Sequence, residues 1–60
     1  MNSFWNSSDE SLLDILTNSA VRMEMFADKY GTDNYQYQYH KEVYNDARSE
    51  VLRRMGAEVN

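Results

Sequence analysis

The sequence predicts an all-α fold: a two-helix antiparallel hairpin, expected to dimerise into a four-helix bundle. Three observations point there. Proline is absent, and the only glycines, Gly31 and Gly56, each close a segment of helical character. Apolar residues in both segments recur at alternating steps of four and three, the spacing of one helix face. The connection is about three to four residues, a length that makes helices antiparallel neighbours.

The first helix is expected over residues 9–30. Ser7 followed by Glu10 matches a capping box, and Asp9 and Glu10 suit the positive end of a helix. Leu12, Leu16, Ser19, Met23, Phe26 and Tyr30 then form the apolar line, flanked by Leu13, Ile15, Ala20 and Ala27. Gly31 stands where a left-handed C-cap is expected. The turn is placed at 31–33, with Thr32, Asp33 and Asn34 supplying turn and N-cap chemistry.

The second helix is expected over residues 34–55. Its core line is Tyr37, His40, Tyr44, Ala47, Val51 and Met55, and Glu50 precedes Arg54 by four in the favourable ion-pair order. Arg53 and Arg54 suit the negative end, and Gly56 marks the stop. The run from Tyr35 to His40 alternates with period two, so a short strand at 35–40 stands as the alternative.

Residues 1–60 make a single domain, and one this short is marginal because it buries only about 60% of its unfolded surface. Disulfides and thiolate metal sites are excluded by the absence of cysteine, and a multi-histidine site within one chain by the single histidine. Oligomerisation is the remaining support, and a homodimer is expected. No cofactor is expected. No apolar run approaches a membrane span, and the N-terminus turns acidic at Asp9 and Glu10, unlike a signal peptide, so a cytoplasmic protein is expected.

The net charge of −4 is local. Residues 1–34 hold six acids and two bases, whereas residues 35–60 hold four of each. A net negative chain repels phosphate, and the acids interleaved with Lys41, Arg48, Arg53 and Arg54 leave no basic stripe, so direct nucleic-acid binding is not expected.

Surfaces remain once the core is assigned. Glu10, Asp14, Glu24 and Asp28 form an acidic strip on the first helix: a solvated face, or a dock for a basic partner. Val21 and Met25 interrupt the same side. On the second helix Tyr35, Tyr39 and Val43 lie four apart, rotated away from the core line: they widen the core near the turn, or they serve an interface. Both apolar sets belong to the turn half, which is therefore the expected recognition surface. Residues 1–6 and 57–60 are expected to be loosely ordered, with Phe4 and Trp5 as the exception. These two either fold over Leu52 and Met55 or anchor a partner, as tryptophan does at binding hot spots.

Nothing in the chain points to catalysis. Ser–His–acid combinations can be drawn with His40, but His40 lies on the core line, where a packed, hydrogen-bonded side chain is expected. A metal site shared by two copies of His40 across a dimer axis is the alternative. Asp9, Glu10 and Asp14 would need a cleft that a single hairpin does not offer. No enzymatic activity is expected.

The capped acidic start, the Gly31-Thr32-Asp33-Asn34 turn and the ending Leu52-Arg53-Arg54-Met55-Gly56 together resemble small helical-hairpin regulators, such as those that inhibit sporulation kinases, and many small phage proteins. The likeness spans most of the chain and rests on pattern, so it implies a hairpin and assigns no functional residues. The expected function is a protein–protein interaction module, an inhibitor or modulator of a host protein, in a phage or mobile-element setting by analogy. The alternatives are a self-assembling structural subunit and an acidic nucleic-acid mimic that blocks a nucleic-acid-binding protein.

Overall fold

The computed structural model describes residues 4–56. They form two α-helices, α1 at Asp9–Tyr30 and α2 at Tyr35–Gly56, packed against each other as a hairpin. Each is 22 residues long.

The start of α1 lies one residue from the expected cap. Ser8, with φ −70° and ψ 160°, is the N-cap, and its hydroxyl oxygen accepts from the Ser11 N–H at 3.1 Å. The Leu12 N–H donates to the Ser8 carbonyl at 3.0 Å, which makes Ser8 the first residue of the helical ladder. The Ser7 N–H, which a capping box would offer to the Glu10 side chain, instead closes a turn onto the Phe4 carbonyl at 3.0 Å. Residues 4–6 are thus part of an ordered turn, and the expected Ser7–Glu10 box does not form. Asp9 and Glu10 still occupy the first helical turn.

Gly31 ends α1 at the expected position, but not in the left-handed helical conformation expected of its cap. Its N–H donates to the Ala27 carbonyl at 2.9 Å, and its φ of 84° with ψ −179° is a conformation only glycine adopts without strain. Asn34 then works in two directions. Its Oδ1 accepts from the Tyr37 N–H at 2.9 Å, capping α2, and its Nδ2 donates to the Gly31 carbonyl at 2.5 Å and the Phe26 carbonyl at 3.5 Å. One side chain therefore ties the end of α1 to the start of α2. Gln38 adds a bond from Nε2 to the Thr32 carbonyl at 2.8 Å.

This cap decides between helix and strand for 35–40. The stretch is helical, and no strand occurs among the described residues. A lone alternating segment has no ladder partner for its backbone groups, whereas the helix satisfies them internally. Gly56 is the last helical residue described, so it belongs to α2 instead of marking a stop before it.

The core is thin. Leu12, Ser19, Ala47 and Glu50 are buried, and only two of these are hydrophobic. Leu16, Met23, Phe26, Tyr37, His40, Tyr44 and Val51 are half-buried along the expected lines. The lines fail at their ends, where Tyr30 and Met55 are exposed. Both stand in the last turn of their helix, where the opposing chain has already left for the turn or the N-terminal segment. The radius of gyration is 12.6 Å, against about 10 Å for a compact chain of this length. The extents of 39 × 21 × 16 Å describe a single layer of two helices.

Candidate functional site

Two sites have definite geometry, one at each end of the hairpin. At the open end lies a charge cluster built on Glu50. Arg53 donates from Nε to Glu50 Oε1 at 2.9 Å and from Nη2 to Oε2 at 2.7 Å. Arg54 donates from Nε to Glu50 Oε2 at 2.6 Å and from Nη1 to Asp9 Oδ1 at 2.6 Å. The remaining nitrogen of Arg54 donates to the carbonyls of Phe4, Trp5 and Ser7. Helical spacing explains the convergence, since residues three and four apart share a face.

The two guanidinium groups leave the Glu50 side chain without solvent contact. Their hydrogen bonds, that of Arg53 first and Arg54 second, outweigh the burial penalty and hold the Glu50 carboxyl at about 2, well below its ordinary 4.5. Hydrogen bonds to Glu50, then to Asp9, raise Arg54 in turn. This cluster fastens the N-terminal segment to α2 through backbone carbonyls. Trp5 is 66% exposed and Leu52 and Met55 are exposed as well, so of the expected aromatic pair the Trp5 ring does not cover those two residues, whereas Phe4 is half-buried. A backbone clamp positions the segment, and it leaves the Trp5 ring facing solvent.

At the turn end the aromatic side chains form a row. The rings of Tyr35 and Tyr39 stack at 6.5 Å, Tyr39 meets His40 edge-on at 5.0 Å, and His40 stacks on Phe26 at 5.7 Å with the planes 6° apart. Phe26 also stacks on Tyr30 at 6.2 Å. His40 is thus packed between aromatic neighbours. The row borders a groove of about 210 Å³ lined by Ile15, Ser19, Arg22, Tyr39, His40 and Val43. A second groove, about 250 Å³, opens on the other side of the hairpin and is lined by Asp9, Leu12, Leu13, Val51, Arg54 and Met55.

The expected interface residues divide accordingly. Tyr35, Tyr39 and Val43 share one face, with Tyr35 77% and Tyr39 51% exposed and Val43 half-buried in the groove. Val21 and Met25 are exposed but line neither groove. Trp5 lies at the opposite end. The acidic strip of Glu10, Asp14, Glu24 and Asp28 is exposed along its whole length.

Sequence reasoning missed the burial of Glu50. The signal was present, because Glu50 continues the line of Val43 and Ala47 and has arginines at both i+3 and i+4. Among the described residues no group of three histidine, cysteine, aspartate or glutamate side chains could hold a metal ion, and no helix is long and apolar enough to cross a membrane. Comparison with protein-family models, with curated proteins and with solved structures found no match in any of the three.

Proposed function

We propose that this chain works by protein–protein contact, as a homodimer of hairpins closed into a four-helix bundle, and that the dimer binds and modulates another protein with no reaction of its own. One observation carries the reading: a single layer of two helices leaves many of its large apolar side chains exposed. Leu12 and Ala47 are its only fully buried hydrophobic residues among those described, whereas Trp5, Leu13, Val21, Met25, Tyr35, Tyr39, Leu52 and Met55 are all exposed. Domains are ordinarily built from two packed layers around a shared core, and a second hairpin supplies the missing layer.

The Tyr35–Tyr39 row is the surface assigned to the other protein. Tyrosine offers rigid, amphipathic contact area with a hydroxyl that stays wet, which suits an interface that must also survive uncovered.

Two measurements test the two parts. The thermal midpoint should rise with protein concentration across a hundredfold range, because association stabilises the folded state by mass action. A midpoint independent of concentration contradicts the dimer. Tyr39→Ala should keep the helical circular dichroism spectrum and abolish capture of a stoichiometric binding protein. If that variant unfolds, Tyr39 belongs to the core and the recognition surface lies elsewhere.

A further inference from the structure

The two edges of α1 differ in character. On the side of the tyrosine row, positions at steps of three and four read Ile15, Asn18, Arg22, Met25 and Lys29, mostly polar. On the other side they read Leu13, Leu16, Ala20, Met23 and Ala27, apolar throughout. The second groove fixes which part of α2 shares that apolar side, since Leu13 lines it together with Val51 and Met55. Tyr37 and Tyr44 continue the same α2 line at seven-residue spacing.

Such a seam is what a helix packs against. Apolar residues at alternating steps of three and four form knobs-into-holes contacts, and Ala20 and Ala27 allow close approach.

Charge chooses the occupant and its orientation. The α1 rim of this face carries Glu24, and the α2 rim carries Lys41 and Arg48, all exposed. Phe26 stacks on His40 and Asp9 pairs with Arg54, so Lys41 stands level with residues near Glu24 along the hairpin. A two-fold axis parallel to the helices lays each α1 antiparallel on the other copy's α2, and acid then meets base on both rims. An axis across the helices would lay α1 on α1 and set acid against acid.

Resting on the homodimer reading above, we infer that a second copy of this chain docks on the Leu13–Leu16–Ala20–Met23–Ala27 seam, with its Lys41 beside Glu24 and the reciprocal pair completing the symmetry. The tyrosine row then faces outward on both sides of the bundle, clear for a different protein.

Sedimentation equilibrium on the full chain and four variants tests this, with circular dichroism confirming helicity in each. The substituted positions are all exposed. Glu24→Lys and Lys41→Glu should each weaken dimerisation about tenfold, and the double exchange should return it to within about threefold of the unaltered chain. Ala20→Glu should leave only monomer. A dimer indifferent to all four variants uses another face, which overturns this inference and leaves the homodimer reading intact. Single exchanges that weaken the dimer without rescue in the double variant overturn the helix pairing. An unaltered chain that is monomeric throughout overturns both readings.

Discussion

Replacing Asn34 separates the two jobs of one side chain. In Asn34→Ala the cap on the Tyr37 N–H and the bonds to the Gly31 and Phe26 carbonyls are all lost. Loss of an N-cap costs about 1 kcal/mol, and a net intramolecular hydrogen bond is worth about the same. The expected destabilisation is therefore about 2 kcal/mol. A chain of this length has a total stability of roughly 3–9 kcal/mol, so the effect is a large share of it. The thermal midpoint should fall by about 8–16 °C at fixed protein concentration. Asn34→Ser keeps a capping oxygen but cannot reach the carbonyls across the turn, and its cost should be about half. Urea unfolding followed by circular dichroism reads both variants. An Asn34→Ala chain within about 0.5 kcal/mol of the unaltered protein would refute the assignment of Asn34 as the tie between the helices. An Asn34→Ser chain as damaged as Asn34→Ala would refute the division into two arms.

Further predictions follow from the glycines and the charge cluster. A Cβ at Gly31 meets no atom within 4 Å, so Gly31→Ala isolates the backbone cost, about 1–3 kcal/mol for its φ of 84° and ψ of −179°. Gly56 has no positive φ, and Gly56→Ala should be neutral or slightly stabilising in the same urea titration. Because the folded Glu50 carboxyl lies at about 2, below its ordinary 4.5, its contribution to stability is fully present above the ordinary value and is lost as pH falls through the folded one. Unfolding titrations from pH 6 to pH 2 should show that loss, and Glu50→Gln should flatten the slope in this window. An unchanged slope in the glutamine variant would place the acid sensitivity in other carboxylates.

Periodicity made the hairpin legible because a buried helix face leaves a strong trace. The bounds of α1 and the cap at Gly31 follow directly from it, and the helical reading of 35–40 was available from Asn34 and the lack of a partner strand. Periodicity does not say where the partner helix stops. Tyr30 and Met55 continue their lines on paper, yet the opposing chain has turned away and they meet solvent. Ser7 and Ser8 are chemically equal as caps, and the choice fell to the surroundings of Ser7, whose N–H closes a turn onto Phe4 and whose carbonyl accepts from Arg54 of α2. Glu50 was hidden for another reason: a carboxylate is expected at the surface, and its burial depends on two arginines folding over it together. The tyrosine stripe was legible as a surplus over what the core needs, whereas its ring stacking depends on side-chain rotamers that spacing does not specify. The apolar edge through Leu13, Ala20 and Ala27 was readable only as a flank of the core until α2 was seen to leave Leu13 and Ala20 exposed and Ala27 half-buried.

One hairpin is proposed to be half of the working structure. Sedimentation equilibrium on the purified chain, at low and high concentration, tests it most directly. A mass near twice 7.1 kDa is expected at both loadings. A folded species that stays near 7.1 kDa across the same range contradicts it.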